Sequence, residues 1–302
     1  MLSCAYIRRM SKVKIFTGVA LLGLAISFIA VTPASATKPE AIPTVASIHN
    51  PHLDLTRDAS RLRTFSGTNL SYHNGPVMIS PVTVQPIFWG PSWANSSFVA
   101  DKATGIGAFY SQYSGSSYAG IQTQYGQSNG LKVTGSTSAS PAITDSATQA
   151  SSTNSAVLAE VLAKVPYSSL STNAFYPVYT DLARGSATYC AWHSFASVTD
   201  GITTKVIKFG FFFNLDGDPG CTAQTSLNPY STGTQSLVNV SAHELAETLT
   251  DPSLNAWFDS QGNENGDKCA WKFNSNGVTL VPGSTTWQLQ GEWNNSTSGC
   301  SW

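Results

Sequence analysis

Charge is what this sequence has least of: only 11% of its residues are Asp, Glu, Lys or Arg, and five are histidine. No basic patch occurs, which makes nucleic acid and anionic membrane surfaces poor partners. There is no Cys-x-x-Cys pair, which argues against a zinc ribbon or a dithiol redox centre. There is no Gly-x-Ser-x-Gly elbow, no phosphate loop and no internal repeat. What the chain does have is apolar and uncharged polar. Hydrophobic residues make up 41% of its 302 positions, with eight Trp and eleven Tyr, enough to build a sizeable core.

Low charge with abundant Ser, Thr and Asn suits an exported protein, and the N-terminus points the same way. Arg8, Arg9, Lys12 and Lys14 precede an uncharged apolar run over residues 15–31, and Ala34-Ser35-Ala36 supplies small residues before a cleavage point. Residues 1–36 are expected to be a signal peptide. A 17-residue run is barely long enough to span a bilayer, and no other stretch comes close. Removing residues 1–36 takes away four basic and no acidic side chains, leaving a net charge of −5 and no membrane contact. Cys4 leaves with them. The remaining four, Cys190, Cys221, Cys269 and Cys300, imply two disulfides in an oxidising compartment. Pairing Cys190 with Cys221 and Cys269 with Cys300 closes two local loops and is the favoured connectivity of three.

Residues 37–70 carry Pro39, Pro43 and Pro51 without a clear period and read as a linker or propeptide-like segment; His49 and His52 lie in it with no assigned role. A single domain is expected over 71–302. Residues 82–89 read as a strand, with Pro86 placing it at an edge or bulge. A helix is expected over 98–113, a strand over 117–125 and an irregular or hairpin segment over 126–151. A helix over 154–165 stops at Pro166, and a strand follows over 175–180. The run Val206-Ile-Lys-Phe-Gly-Phe-Phe-Phe-Asn214 reads as a strand buried on both faces. Further strands are expected near 278–281 and 285–290. Strands and helices alternate through the middle, so the expected class is α/β, a mixed sheet with packed helices.

The richest stretch is Ser241-Ala242-His243-Glu244-Leu245-Ala246-Glu247-Thr248-Leu249-Thr250-Asp251-Pro252. At about 100° per residue, His243, Glu244, Glu247, Thr250 and Asp251 share one side of a helix spanning about 235–250. His243 and Glu247, at i and i+4, can reach one metal ion, and Glu244 sits where a general base would. The spacing is that of the His-Glu-x-x-His zinc-protease helix with Glu in place of the second His. A solvated polar helix face is the plain alternative. Downstream, Glu264 follows Glu247 by 17 residues and Asp267 follows by 20, the spacing at which thermolysin-type proteases place a third ligand and an Asp that orients the first His. On that analogy His243, Glu247 and Glu264 are ligands and Asp267 orients. Asp251 is a lesser candidate, placed to end the helix. His193, close to Cys190, is a candidate cleft contact. Such an oxygen-rich set suits a divalent metal, zinc or a harder ion. The calcium-loop-like Asn214-Leu-Asp-Gly-Asp218 lacks its distal Glu and reads as a turn.

Tyr72-His-Asn-Gly-Pro-Val-Met78 followed by Phe88-Trp89-Gly90 resembles the opening of the phosphate-induced protein 1 / EXORDIUM family. Cys190-x-x-His193, His243-Glu-Leu-Ala-Glu247 through Asp251-Pro252, Trp257-Phe258-Asp259 and Glu292-Trp-Asn-Asn295 are similar to its microbial relatives. The resemblance covers roughly 72–302. It implies an extracellular protein and, through the microbial motif, a peptidase acting on a peptide or cell-wall substrate. The two function classes that follow are a secreted metal-dependent hydrolase, acting as a monomer, and a non-enzymatic wall-associated protein.

Overall fold

The structure, a computed structural model, describes residues 42–63, 68–223 and 229–302; the expected signal peptide lies outside them. The first elements are β1 (Thr44–Ile48), β2 (His52–Leu55), α1 (Arg57–Ser60), β3 (Ser71–Tyr72), β4 (Val82–Val84) and β5 (Ile87–Trp89). Next come α2 (Ser96–Val99), α3 (Lys102–Tyr113), α4 (Ser117–Gln122), β6 (Thr137–Ala139), β7 (Ile143–Asp145) and α5 (Asn154–Lys164). The centre is formed by β8 (Ala174–Ala183), β9 (Tyr189–Thr199), β10 (Thr204–Asn214) and α6 (Thr232–Thr250). Short strands β11 (Trp257–Phe258), β12 (Val278–Thr279), β13 (Thr286–Trp287), β14 (Glu292–Asn294) and β15 (Gly299–Ser301) close the chain.

Nine strands form one mixed sheet in the order β1-β9-β10-β8-β4-β6, with β2 beside β1 on β9, β5 on β8, and β7 on β5. The pairs β8–β10, β4–β8, β5–β8, β4–β6 and β5–β7 are parallel, while β9 runs antiparallel to β10, β1 and β2. The expected mixed α/β class is therefore present. The 82–89 strand is broken in two at Gln85-Pro86, and it is interior rather than at an edge. Proline has no N–H to give the ladder, so the break falls there. β10 is buried from Ile207 to Phe213, with Phe209, Phe211 and Phe212 completely so.

Three segments depart from the sequence reading. Residues 117–122 form α4, not a strand: Ser116 caps it by accepting from Ala119 N–H at 3.0 Å, and Tyr118, Ala119, Ile121 and Gln122 are buried at helical spacing. Residues 189–199, assigned no element in sequence, form the central strand β9. Residues 44–60, read as linker, contribute two strands and a short helix, and β1 and β2 pair with β9 in near-continuous succession.

Helix α6 starts at Ser231, whose hydroxyl accepts from Thr234 N–H at 3.2 Å, and ends at Asp251, ahead of Pro252. It lies against β8, β9, β10, β2 and α3. Every residue from Gly233 to Thr250 is buried, so its polar side is not a solvated face. Interior partners serve part of that side: Ser241 Oγ reaches Tyr179 Oη at 2.7 Å and donates to Leu237 O at 2.6 Å. Asn239, the first residue of an Asn-x-Ser sequon, is wholly buried and accepts from Gln290 N–H, so a glycan has no room there.

The disulfides are Cys190–Cys221 and Cys269–Cys300, each spanning 31 positions, as the local-loop pairing anticipates. Loops of that size stabilise by roughly 3–4 kcal/mol through restriction of the unfolded chain. The first ties the start of β9 to the segment after β10. The second ties residues 259–269 to the C-terminal hairpin. Among the described residues no helix is long and apolar enough to cross a membrane.

Candidate functional site

Four parts of the chain deliver titratable side chains to one interior volume. Helix α6 brings His243, Glu244 and Glu247, β9 brings His193, and the 259–267 loop brings Glu264 and Asp267. Strand β2 brings His52 and Asp54, which the sequence reading left without a role. His52 and Asp54 sit two residues apart and therefore on one face of β2. Seven of these eight side chains are 0–3% exposed, and only His52, at 17%, reaches solvent appreciably.

Within hydrogen-bonding range, His193 Nδ1 meets Glu244 Oε2 at 2.8 Å, and His52 Nε2 meets Asp267 Oδ2 at 2.8 Å. Arg63 Nη1 lies 3.0 Å from the same Asp267 oxygen, which also accepts from Glu264 N–H. Glu247 Oε1 lies 3.0 Å from His243 Nε2 and accepts from Asp267 N–H at 3.1 Å. Glu247 Oε2 lies 3.6 Å from His193 Nδ1. His193 Nε2 and Glu264 Oε2 are 3.7 Å apart, and His52 Nδ1 and Glu264 Oε1 are 3.8 Å apart. On the far side of His243, Gln290 Nε2 contacts Nδ1, with Asp54 Oδ1 at 3.9 Å. Gly266 leaves room for the His243 ring: a Cβ there would come within 2.7–2.9 Å of it.

Several of these atoms are buried without a hydrogen-bond partner: His193 Nε2, His243 Nε2, Glu244 Oε1, Glu247 Oε2, Glu264 Oε2 and both oxygens of Asp54. His243 Nε2 is near Glu247 Oε1 in distance yet makes no aligned hydrogen bond with it. Buried polar atoms left unpaired are costly, and unpaired atoms of this kind brought close together are able to share a ligand. Among the described residues, three groups have ligand atoms all within 4.8 Å of one another: His52 with Glu247 and Glu264, His193 with Glu244 and Glu247, and His243 with Glu247 and Asp267. Glu247 belongs to all three. These buried groups could hold a metal ion.

The electrostatics agree with that chemistry. Burial drives the carboxyls of Glu244 and Glu264 well above their ordinary range, and it drives His193 well below its own. Burial raises Asp54 to about 7. It also works against a charged His243, but Asp54 and Glu247 more than offset it and hold the imidazole well above its ordinary value. Asp267 is buried too, yet His52 and Arg63 keep its carboxyl well below the usual range. Enclosed carboxylates repel unless protons or a cation compensate them, and Arg63 is the nearby fixed positive charge.

The sequence-derived set is thus brought together, with a different partition. Glu264 groups with His52 and Glu247 rather than with His243, and Asp267 joins His243 and Glu247 while orienting His52. Asp251 ends the helix, its Oδ1 accepting from Asn255 and Ala256 N–H at 2.6 and 2.7 Å. His73 stacks on Phe258 at 3.6 Å instead. His52 and Asp54 were missed because β2 turns its polar face inward, so its alternation looks like that of a surface strand. Two titratable residues at i and i+2 beside a leucine pair were the signal. Neither a family model, nor a curated protein, nor a solved structure matches this chain.

Proposed function

We propose that the chain is an exported metal-dependent hydrolase, most simply a peptidase, with its catalytic groups on α6. The observation that carries this reading is the convergence on Glu247 of buried imidazoles and carboxylates, of which His193 Nε2, His243 Nε2, Glu247 Oε2 and Glu264 Oε2 have no hydrogen-bond partner. The residues that would hold the ion are Glu247 and His243 from the helix, with Asp267 from the loop in place of the expected Glu264. When bound, a divalent cation supplies Lewis acidity to a carbonyl and acidity to water. Zinc suits the imidazoles, and the oxygen-rich remainder also suits a harder ion such as manganese. Nδ1 of His243 is held by the side-chain amide of Gln290, which fixes the ring with Nε2 toward Glu247.

Glu244 is the general base. His193 Nδ1–H holds one of its oxygens and leaves Oε1 free to take a proton from water. In the hydrolysis the water oxygen joins the carbonyl carbon, the C–N bond breaks, and the proton gathered by Glu244 passes to the departing amine. The resemblance to microbial EXORDIUM-like proteins and the two disulfides support an extracellular setting.

The near-complete burial of the cluster favours a second reading, a non-enzymatic wall-associated protein in which the ion is structural. Glu244→Gln separates the two. Hydrolysis of an unstructured peptide lost with the ion retained supports the enzyme. Unchanged behaviour of an ion-loaded, inert protein supports the structural role.

A further inference from the structure

We propose that the outer edge of β9 is the seat of an extended peptide substrate, and that here the chain's own β2 occupies that seat and keeps the site closed. This deepens the hydrolase reading and rests on it.

The first ground is position. One edge of β9 is paired with β10, and the other is lined from Thr199 to Tyr189 by residues 44–55. Within that run His52 is opposite His193, Leu53 opposite Trp192 and Asp54 opposite Ala191. His193 is the β9 residue that holds Glu244. A peptide laid antiparallel on this edge would therefore run beside the general base, where His52 now makes its bond to Asp267.

The second ground is access. Glu244, Glu247 and His243 are completely buried, and the partly exposed member of the cluster is on β2 itself. While β2 is docked, a peptide carbonyl has no approach to Glu244 past His52 and Asp54. A hydrolase of this kind has to open, and the N-terminal strand is the element lying across the cluster.

The third ground is how the strap is held. All five residues of β1 are exposed, so strand pairing rather than burial holds that part, while β2 is held by the His52–Asp267 contact and by the burial of Asp54. Backbone pairing is generic, and any extended peptide of the same direction satisfies the same groups. Asp54 is buried with both oxygens unpaired, which costs free energy in the docked state. At the turn between the two strands His49 stacks on Phe195 at 3.9 Å and its carbonyl accepts from Ser194 Oγ at 2.8 Å. Further attachments lie beyond: Trp271 Nε1 donates to Leu55 O at 2.9 Å, Thr56 N to Thr188 O, and Arg57 to Thr222 O while stacking over Trp271. The strand can therefore swing about residues 55–57 without loss of α1.

The test uses the full chain loaded with zinc. Ser47→Cys/Ser197→Cys joins facing residues of β1 and β9 and locks the strap. His49→Pro removes the N–H that His49 donates to Phe195 O, outside the cluster, and loosens it. Expected is a fall of about tenfold or more in hydrolysis of an unstructured fluorogenic peptide by the locked form, reversed by mild reductant, and a comparable gain for His49→Pro. In the inert Glu244→Gln variant, adding the same peptide should speed hydrogen exchange of the β2 amides. Equal rates in the locked and free forms, no gain for His49→Pro with its zinc retained, or β2 exchange that ignores the peptide would each overturn the proposal. Failure of the wild-type chain to bind zinc would remove the hydrolase reading, and this proposal with it. Zinc binding combined with unmoved β2 exchange would remove the proposal alone.

Discussion

His193, on the central strand β9, places its Nδ1 2.8 Å from Oε2 of Glu244, on the helix that crosses behind that strand. The contact leaves the second oxygen of Glu244 without a partner. A carboxylate held by one oxygen and free at the other is oriented for proton transfer. Glu244→Gln preserves size and the imidazole contact but cannot accept a proton. It is expected to lower kcat by roughly 10²–10⁴ while leaving zinc stoichiometry unchanged. Steady-state kinetics with parallel metal analysis checks both halves.

Glu247 is shared by every candidate donor group, so its removal should harm ion binding more than the loss of any other single side chain. Glu247→Ala is expected to weaken zinc or manganese binding by about 100-fold or more, measured by equilibrium dialysis. Chelation of the wild-type protein should also lower its thermal midpoint. An ion present at a hundred times its Kd stabilises by about 2.7 kcal/mol. A midpoint unmoved by chelator would count against a bound ion.

Gly266 matters through space, not backbone freedom, since its φ is an ordinary −68°. A methyl at this position would press on the Nδ1 side of the His243 ring. Gly266→Ala should therefore rotate or displace that imidazole, weakening metal binding roughly tenfold while costing about 1–3 kcal/mol of stability. Calorimetric titration alongside thermal melts distinguishes a displaced ligand from general unfolding.

A separate titration is expected far from the site. Glu160, on α5, is buried beside Asp145, and burial with that neighbour raises its carboxyl to about 7. The unfolded chain releases this proton near its ordinary value of 4.5, so between there and about 7 the folded state holds more protons. Stability from this group is full below about 4.5 and falls as pH rises toward 7. Glu160→Gln should remove the decline and leave the variant roughly 1–2 kcal/mol more stable at neutral pH. Denaturant midpoints of both proteins across that range test the sign.

How much of this was legible depended on the direction of burial. The β10 run was readable because burial on both faces leaves a string from Val206 to Phe213 that is apolar but for Lys208. The two disulfide loops were readable because the four cysteines fall into two local pairs. Strand β9 was not, since Cys190-Ala191-Trp192-His193-Ser194 mixes apolar and polar residues that are all buried and shows no period. α4 was mistaken for a strand because Ser117-Tyr118-Ala119-Gly120-Ile121 alternates by chance, and the Ser116 cap carried the better signal.

The sequence by itself determined the helix that carries His243, Glu244 and Glu247, because residues three and four apart must share a helix face whatever surrounds them. Local chain geometry also set the cysteine pairing. Only the tertiary structure decided what meets that helix. His193 arrives from a strand some fifty residues earlier, Glu264 and Asp267 from a loop tethered by Cys269–Cys300, and His52 and Asp54 from a strand almost two hundred residues upstream. No local periodicity encodes such meetings. That of His52 and Asp54 follows from which edge of the sheet the N-terminal segment pairs with, and that pairing is between backbone groups common to every residue.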